Sequence, residues 1–271
     1  MFKTKKTMIA LVSMTMAAAL AAPSTASAAT VGSLKLSGST TVLPIAQLLA
    51  SAFHRSNPSV TLTVAGGGSG VGMNDVAAGR VNIGMSSSVL TAAQLQKGLV
   101  PTAIARDALT IIVNPGNPVT KLTSSQVKGI YTGKITNWRQ VGGPSQPILP
   151  AGRDGASGTF DYFSKSILLS ARQAANVKTY NSNGLVRNFV QSNKWAVGYV
   201  GMAYINSTVK PLVLDGTAPT RANALAGTYR YVRKLFFVTK GRAAGLSATF
   251  INYTLSAAGQ KIVSTEYLPI R

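Results

Sequence analysis

Three short segments place hydroxyl residues and glycine where a strand should give way to a helix. They are Gly38-Ser39-Thr40-Thr41, Gly67-Gly68-Ser69-Gly70 and Arg153-Asp154-Gly155-Ala156-Ser157-Gly158-Thr159. The chemistry open to such turns is the capture of an anion. The first N–H groups of a helix have no partner inside it, and the helix dipole is positive at that end. Glycine lets the backbone approach a guest closely, and Ser or Thr adds a hydroxyl donor. Any one of these turns, taken alone, is most simply an ordinary helix cap. Arg153 alone has a surface charge as its lesser alternative. Three such turns in one chain, one of them bearing a guanidinium that can fork two oxygens, point instead to a shared oxyanion.

The elements around these turns are of the kind that would bring them together. Leu34 to Leu36 reads as a strand, followed by Leu43, Leu48, Leu49 and Phe53 at helical spacing. Val60 to Val64 is a second strand, with a helix expected over Val71 to Ala78 and a third strand at Val81 to Met85. Leu109 to Val113 is an apolar strand, and the Asn114-Pro115-Gly116-Asn117-Pro118 punctuation after it suggests a crossing between lobes. Helices are expected over Ser124 to Tyr131, Gly158 to Leu168 and Ala248 to Val263, with short strands at Ile148 to Pro150, Tyr199-Val200 and Val213-Leu214. This alternation indicates an α/β chain with a mostly parallel sheet, whose binding sites form at the carboxyl ends of strands.

Composition removes most rival chemistries. There is no cysteine, so disulfides, thiolate metal sites and a cysteine nucleophile are excluded. His54 is the only histidine, and it sits on the first helix beside Phe53, where a surface role is expected. No acid pair, no His-Asp-Ser set and no metal-ligand cluster suggests turnover, so no enzyme, cofactor or metal is expected. The acidic residues are Asp75, Asp107, Asp154, Asp161, Asp215 and Glu266, against 27 Lys plus Arg. The cations are scattered singly, with Arg233-Lys234 the longest run, which does not suit a nucleic-acid partner. Carboxylates are what the chain lacks. A protein that hardly uses them loses little when acid protonates them, so an acidic working environment is expected; attraction to an anionic envelope is the alternative.

Lys3, Lys5 and Lys6 followed by the Ala- and Leu-rich run Met8 to Ala22 and by Ala26-Ser27-Ala28 read as a signal peptide over residues 1–28. With no cysteine for a lipid anchor, a periplasmic or freely secreted protein is expected.

The blocks Ser37-Gly38-Ser39-Thr40-Thr41-Val42, Gly67 to Gly70, Ile130 to Trp138 with Gly142-Gly143, and Arg153 to Thr159 resemble those of periplasmic phosphate-binding proteins in their shorter form. These are the receptors of the phosphate ABC transporter. The resemblance extends through Tyr199 to Ile205, Asp215-Gly216, Pro219-Thr220 and the closing helix, and so over essentially the whole mature chain. It implies a two-lobed type II periplasmic-binding-protein fold with helices on both faces of each lobe's sheet. Residues 29–110 would begin lobe one, 111–215 form lobe two, and 216–271 return to lobe one. Phosphate contacts are implied at Thr40, Thr41, Ser69, Arg153, Ser157, Gly158 and Thr159, with Ser39 as a helper. Asp154 would orient Arg153 or be an exposed turn residue, and Trp138 and Gly142-Gly143 would be structural.

This sequence departs from the family where some relatives carry an aspartate that accepts the ligand's proton. The stretch Ile83 to Ser88 offers only serine there, with Ser87 the expected acceptor. Ser88 replaces an arginine frequent in short relatives, and Asn82 replaces a usual aspartate. Sulfate or arsenate binding, or an envelope or adhesion role on the same fold, therefore stand as alternatives. The implied partners are inorganic phosphate and a membrane ABC permease, with the protein acting as a monomer. About seven or eight hydrogen bonds at roughly 1 kcal/mol each total about 8 kcal/mol, enough for micromolar affinity once Arg153's stronger bonds offset association costs.

Overall fold

The computed structural model describes residues 1–2 and 31–270; the signal-peptide expectation for residues 1–28 lies outside them apart from Met1 and Phe2. The chain runs β1 (Gly32–Gly38), α1 (Leu43–Ser56), β2 (Val60–Gly67), α2 (Ser69–Ala77), β3 (Ile83–Ser86), α3 (Ala92–Gln96) and β4 (Leu99–Val113). Then follow β5 (Lys121–Leu122), α4 (Ser124–Tyr131), β6 (Leu149–Arg153), α5 (Gly158–Phe163), β7 (Lys178–Tyr180), α6 (Asn183–Ser192) and β8 (Ala196–Gly201). The last part holds β9 (Lys210–Pro211), β10 (Val213–Leu214), α7 (Arg221–Leu225), β11 (Val232–Lys240), α8 (Gly245–Leu255) and α9 (Ala257–Glu266).

The main sheet has the order β2-β1-β3-β11-β4-β8-β6-β7, with β9 beside β4. Pairings among β1, β2 and β3 and among β6, β7 and β8 are parallel, whereas β11 and β4 pair antiparallel to their neighbours. The sheet is therefore mixed: two parallel ends joined through two long antiparallel strands.

Those two strands explain a shift from the expected crossing point. β4 pairs with β11 from Leu99 to Ala108 and with β8 from Leu109 to Val113. The crossing thus lies inside the strand near Asp107, not in the Asn114–Pro118 turn that ends it. Pro101, Arg106 and Asp107 broke the apolar pattern of its first half, but antiparallel pairing on β11 satisfies that backbone all the same.

Strand alternation then divides the core between two faces at each end. On β11, Leu235 and Phe237 join a cluster with Ile45, Leu49, Phe53, Phe250 and Val263, while Val238 turns to Met73 and Val76 of α2. On β4, Ile111 joins Val127, Ile130, Trp138 and Phe163, while Ile112 turns to Val186 and Val190 of α6. Helices consequently cover both faces at both ends. Ala224, Tyr229 and Tyr231 pack in the same core as Ile111. Along β11 the chain passes from this core, against which Val232 also packs, to the one that holds Leu235 and Phe237.

The long closing helix expected over Ala248 to Val263 is two helices. Ser256 ends α8 in an extended conformation and caps α9, its Oγ accepting from Gly259 N at 3.2 Å. Helical spacing continues through the break, so periodicity alone could not reveal it. No helix among the described residues is long and apolar enough to cross a membrane.

Four aspartates form ion pairs: Asp75 with Arg80, Asp161 with Lys165, Asp215 with Arg230 and Asp107 with Arg233. At Asp215, burial pushes the carboxyl up, but bonds from Tyr231 Oη, Ser124 N and Arg230 outweigh it and hold the group at about 2. At Asp75 the Ser37 hydroxyl, opposed by burial and aided by Arg80, also lowers the carboxyl. Groups lowered in the folded state stabilise it above their unfolded value and lose that contribution as pH falls through the folded one. Asp107 runs the other way, raised by burial against the pull of Arg233 and Met202 N, so acid relieves it. The loss from pH 7 to pH 3 at Asp215 is about 1 kcal/mol after allowance for solvent screening. We therefore expect the melting temperature to fall by under about 8 °C over that range, at roughly 2–4 °C per kcal/mol. Cooperative unfolding by pH 3 would refute the acid-tolerant reading of the composition.

Candidate functional site

The first turn follows β1, the second follows β2 and the third follows β6, so each stands at the carboxyl end of a parallel strand. Packing brings all three together. Thr41 Oγ1, from the first end of the molecule, lies 2.8 Å from Thr159 Oγ1 of the second. Gly70 N donates to Ala156 O at 2.9 Å across the same gap. Gly68, at φ 100°, adopts a conformation that favours glycine, and a Cβ there would lie 2.8 Å from Ala156 O.

Within each turn the hydroxyls divide by role. Ser39 Oγ accepts from Thr41 N at 3.2 Å and Val42 N at 3.4 Å, and Ser157 Oγ accepts from Thr159 N and Phe160 N, both at 3.2 Å. Ser157 caps α5, and Ser39 holds the turn ahead of α1. Thr40, Thr41, Thr159 and Ser69 carry the hydroxyls that meet residues of other turns. Ser69 Oγ accepts from Ser87 N at 3.1 Å and lies 3.4 Å from Ser87 Oγ. An added Cβ on Gly158 would lie 2.4 Å from Ser69 Oγ and 2.8 Å from Ser87 Oγ, so the third turn presses directly against the second.

Arg153 is buried, only 2% exposed. Its Nε donates to Tyr180 O at 3.1 Å and its Nη2 to Asn181 O at 2.9 Å, while its backbone N donates to Tyr199 Oη at 3.0 Å. Burial lowers its guanidinium to about 10, which leaves it charged at neutral pH. No hydrogen bond or ion pair joins it to Asp154, whose Oδ1 is buried without a partner. The carbonyls of Tyr180 and Asn181 orient Arg153, not the aspartate. The same segment continues to Asn183, whose Nδ2 reaches Thr40 Oγ1 at 3.1 Å and Thr41 Oγ1 at 3.0 Å.

Three participants are absent from the expected set: Asn183, Asp107 and Arg233. Arg233 is 6% exposed and Asp107 fully buried. Arg233 Nε and Nη2 donate to Asp107 Oδ2 at 3.1 and 2.9 Å, and Asp107 Oδ1 accepts from Met202 N at 2.9 Å. Nη2 also reaches Thr41 Oγ1 at 3.2 Å and Thr159 Oγ1 at 3.0 Å, and Nη1 donates to Gly158 O at 3.2 Å. One signal pointed to this pair. Asp107 lies within the largely apolar stretch Ala103 to Val113, and a buried carboxylate must find a cation.

The remaining expectations place readily. Trp138 is a core residue, its Nε1 donating to Trp195 O at 3.0 Å. Asn82 Oδ1 accepts from Lys35 N at 2.8 Å and fastens the start of β3 to β1. Ser88, which stands where short relatives frequently have arginine, donates to the Asp161 carboxylate across the mouth of the cleft. His54 is exposed, its Nδ1 2.8 Å from Val60 O and remote from the converging turns in the fold. Among the described residues no cluster of His, Cys, Asp or Glu could hold a metal ion.

Strand-end turns from two α/β lobes, closing on one buried, donor-rich centre, define a solute receptor of the type II periplasmic-binding-protein class. Comparison with known proteins refines this. A family model of the PBP superfamily domain matches residues 23–258. The chain is 33% identical to the phosphate-binding protein PstS of Bacillus subtilis, over 88% of its own length and 81% of that protein's. An X-ray structure with bound phosphate, of a candidate phosphate ABC transporter substrate-binding protein from Clostridium perfringens, is 34% identical with a TM-score of 0.84. It covers 88% of this chain and 99% of its own. An ABC-type phosphate transport receptor from Vibrio cholerae is 32% identical with a TM-score of 0.73, covering 88% and 100%. The chain belongs to the PstS family of phosphate-binding proteins within the PBP superfamily.

Proposed function

We propose that this protein is an extracytoplasmic receptor that captures inorganic phosphate between its two lobes and delivers it to an ABC permease. The observation that carries this reading is the meeting of Thr41 and Thr159, from opposite lobes, beside the buried guanidinium of Arg233. Phosphate would be held by the hydroxyls of Thr40, Ser69 and Thr159, by the N–H group at Gly158 and by Arg153, with Thr41 passing its hydrogen to Thr159. Ser39 and Ser157 would hold their turns in shape. Binding without turnover follows, since the centre offers donors and no general acid–base pair. The lobes would comprise residues 31–108 with 232–270 and residues 109–231, hinged where β4 and β11 cross. Export by cleavage after Ala28 and action as a monomer belong to the same proposal.

Phosphate near neutral pH carries a hydroxyl that needs an acceptor, and sulfate does not. Ser87 supports the assignment as that acceptor: its Oγ has only Ser69 Oγ as a neighbour in hydrogen-bond range. Calorimetric titration of the mature protein with phosphate and with sulfate tests the function. Micromolar phosphate binding, about −8 kcal/mol, is expected, and absence of any phosphate binding would dismiss the receptor reading. Replacing Ser87→Ala should weaken phosphate by about 10-fold and leave sulfate nearly unchanged, because only one of the two has a proton to place. Equal losses for both anions would remove Ser87 from the acceptor role.

A further inference from the structure

We propose that Arg233 and Asn183 are specificity-determining residues: they occupy acceptor positions on the hydroxyls of Thr40, Thr41 and Thr159, so that each can only donate, Thr41 to Thr159 and the other two toward the cleft. This rests on the receptor reading above. A threonine hydroxyl has two acceptor lone pairs and one hydrogen. Thr40 Oγ1 accepts from Asn183 Nδ2 at 3.1 Å and Asn183 N at 3.4 Å. Thr41 Oγ1 accepts from Asn183 Nδ2 at 3.0 Å and Arg233 Nη2 at 3.2 Å. Its own hydrogen then goes to Thr159 Oγ1 at 2.8 Å, where a second N–H comes from Arg233 Nη2 at 3.0 Å. Both lone pairs of all three oxygens are occupied. The hydrogens of Thr40 and Thr159 can only point outward, and that of Thr41 can only be given away.

The orientation of both controlling groups is itself fixed. Gly201 N can only donate, so the Asn183 atom facing it at 3.3 Å is Oδ1, which commits the amide NH2 to the threonines. Asp107 takes Nε and one hydrogen of Nη2, leaving the other Nη2 hydrogen shared between Thr41 and Thr159. A centre polarised in this way accepts a guest whose facing atoms are all acceptors, as oxyanion oxygens are. It rejects one that presents N–H or O–H groups there, since these would meet filled lone pairs.

The test is phosphate affinity by calorimetry at pH 7 for the wild-type protein, Asn183→Asp, Ser182→Asp and Arg233→Lys. Asn183→Asp keeps the shape but replaces the amide donor by an acceptor, so the threonine hydrogens turn inward. Ser182→Asp places the same charge on the neighbouring residue, where aspartate is also a good helix cap. Arg233→Lys keeps the charge opposite Asp107 and loses the fork. We expect losses of about 100-fold, about 3-fold and about 10-fold respectively. Wild-type binding together with near wild-type affinity in Asn183→Asp and Arg233→Lys would overturn the polarising role alone. A loss in Asn183→Asp no larger than in Ser182→Asp would overturn it too, by reducing the effect to charge. Failure of the wild-type protein to bind phosphate would remove the receptor reading and this inference with it.

Discussion

A Gly158→Ala protein is expected to fold normally and to lose phosphate binding by at least about 100-fold, because one methyl group stands where the lobes must meet. The new Cβ would lie 2.4 Å from Ser69 Oγ, 2.8 Å from Ser87 Oγ and 3.0 Å from Ser88 Cβ, all on the opposite lobe. Within its own lobe the change is benign. Gly158 opens α5, and alanine is the better helix former by about 1 kcal/mol. The clash can be relieved by holding the lobes apart, which leaves each core intact and removes the guest's second set of donors. Circular dichroism and melting should therefore match the parent while calorimetry shows no heat of binding. Retention of parental affinity would mean that the third turn does not close on the second when ligand is bound.

The second large effect concerns stability. Arg233→Met should cost about 3–5 kcal/mol at pH 7, since it leaves Asp107 buried, charged and without its cation. The pH dependence identifies the cause. Asp107 is already raised by burial, and loss of Arg233 removes the main influence lowering it. A carboxyl whose folded value lies above its unfolded one destabilises the protein progressively as pH rises between the two. The deficit should therefore be largest at pH 7 and shrink toward pH 4, as protonation relieves the buried charge. Denaturant titrations of parent and variant at the two pH values would measure this. A deficit independent of pH would indicate lost packing against Tyr162, whose ring lies 5.6 Å from the guanidinium, and not an orphaned charge.

The part of this architecture that follows local rules was legible in the sequence. Ser124–Tyr131 is a helix with the expected bounds, because Thr123 and Gln126 form a capping box ahead of a periodic apolar stripe. The three hydroxyl turns were visible because strand-to-helix transitions advertise themselves through Gly and Ser. What local rules could not show was the partner supplied from far along the chain. Arg233 is 192 residues from Thr41, and only the antiparallel register of β11 on β4 brings it opposite Asp107. Asn183 looked like the first turn of an unremarkable helix, and nothing in its neighbours indicates that α6 aims it at the first turn. The split of the closing helix was hidden for a different reason: Ser256 interrupts the backbone without interrupting the apolar spacing.

The central position of β11 bears on how the molecule is assembled during synthesis. Apart from Leu268, the core containing Tyr199 and Trp138 is drawn from one uninterrupted stretch, residues 108–231, and has all its parts once that stretch is made. The other core needs Leu235, Phe237, Phe250 and Val263, which emerge last. Until then β3 has no neighbour on one side, and its unpaired edge must wait while the rest of the polypeptide follows. The lobe that begins the chain is thus the last to be completed.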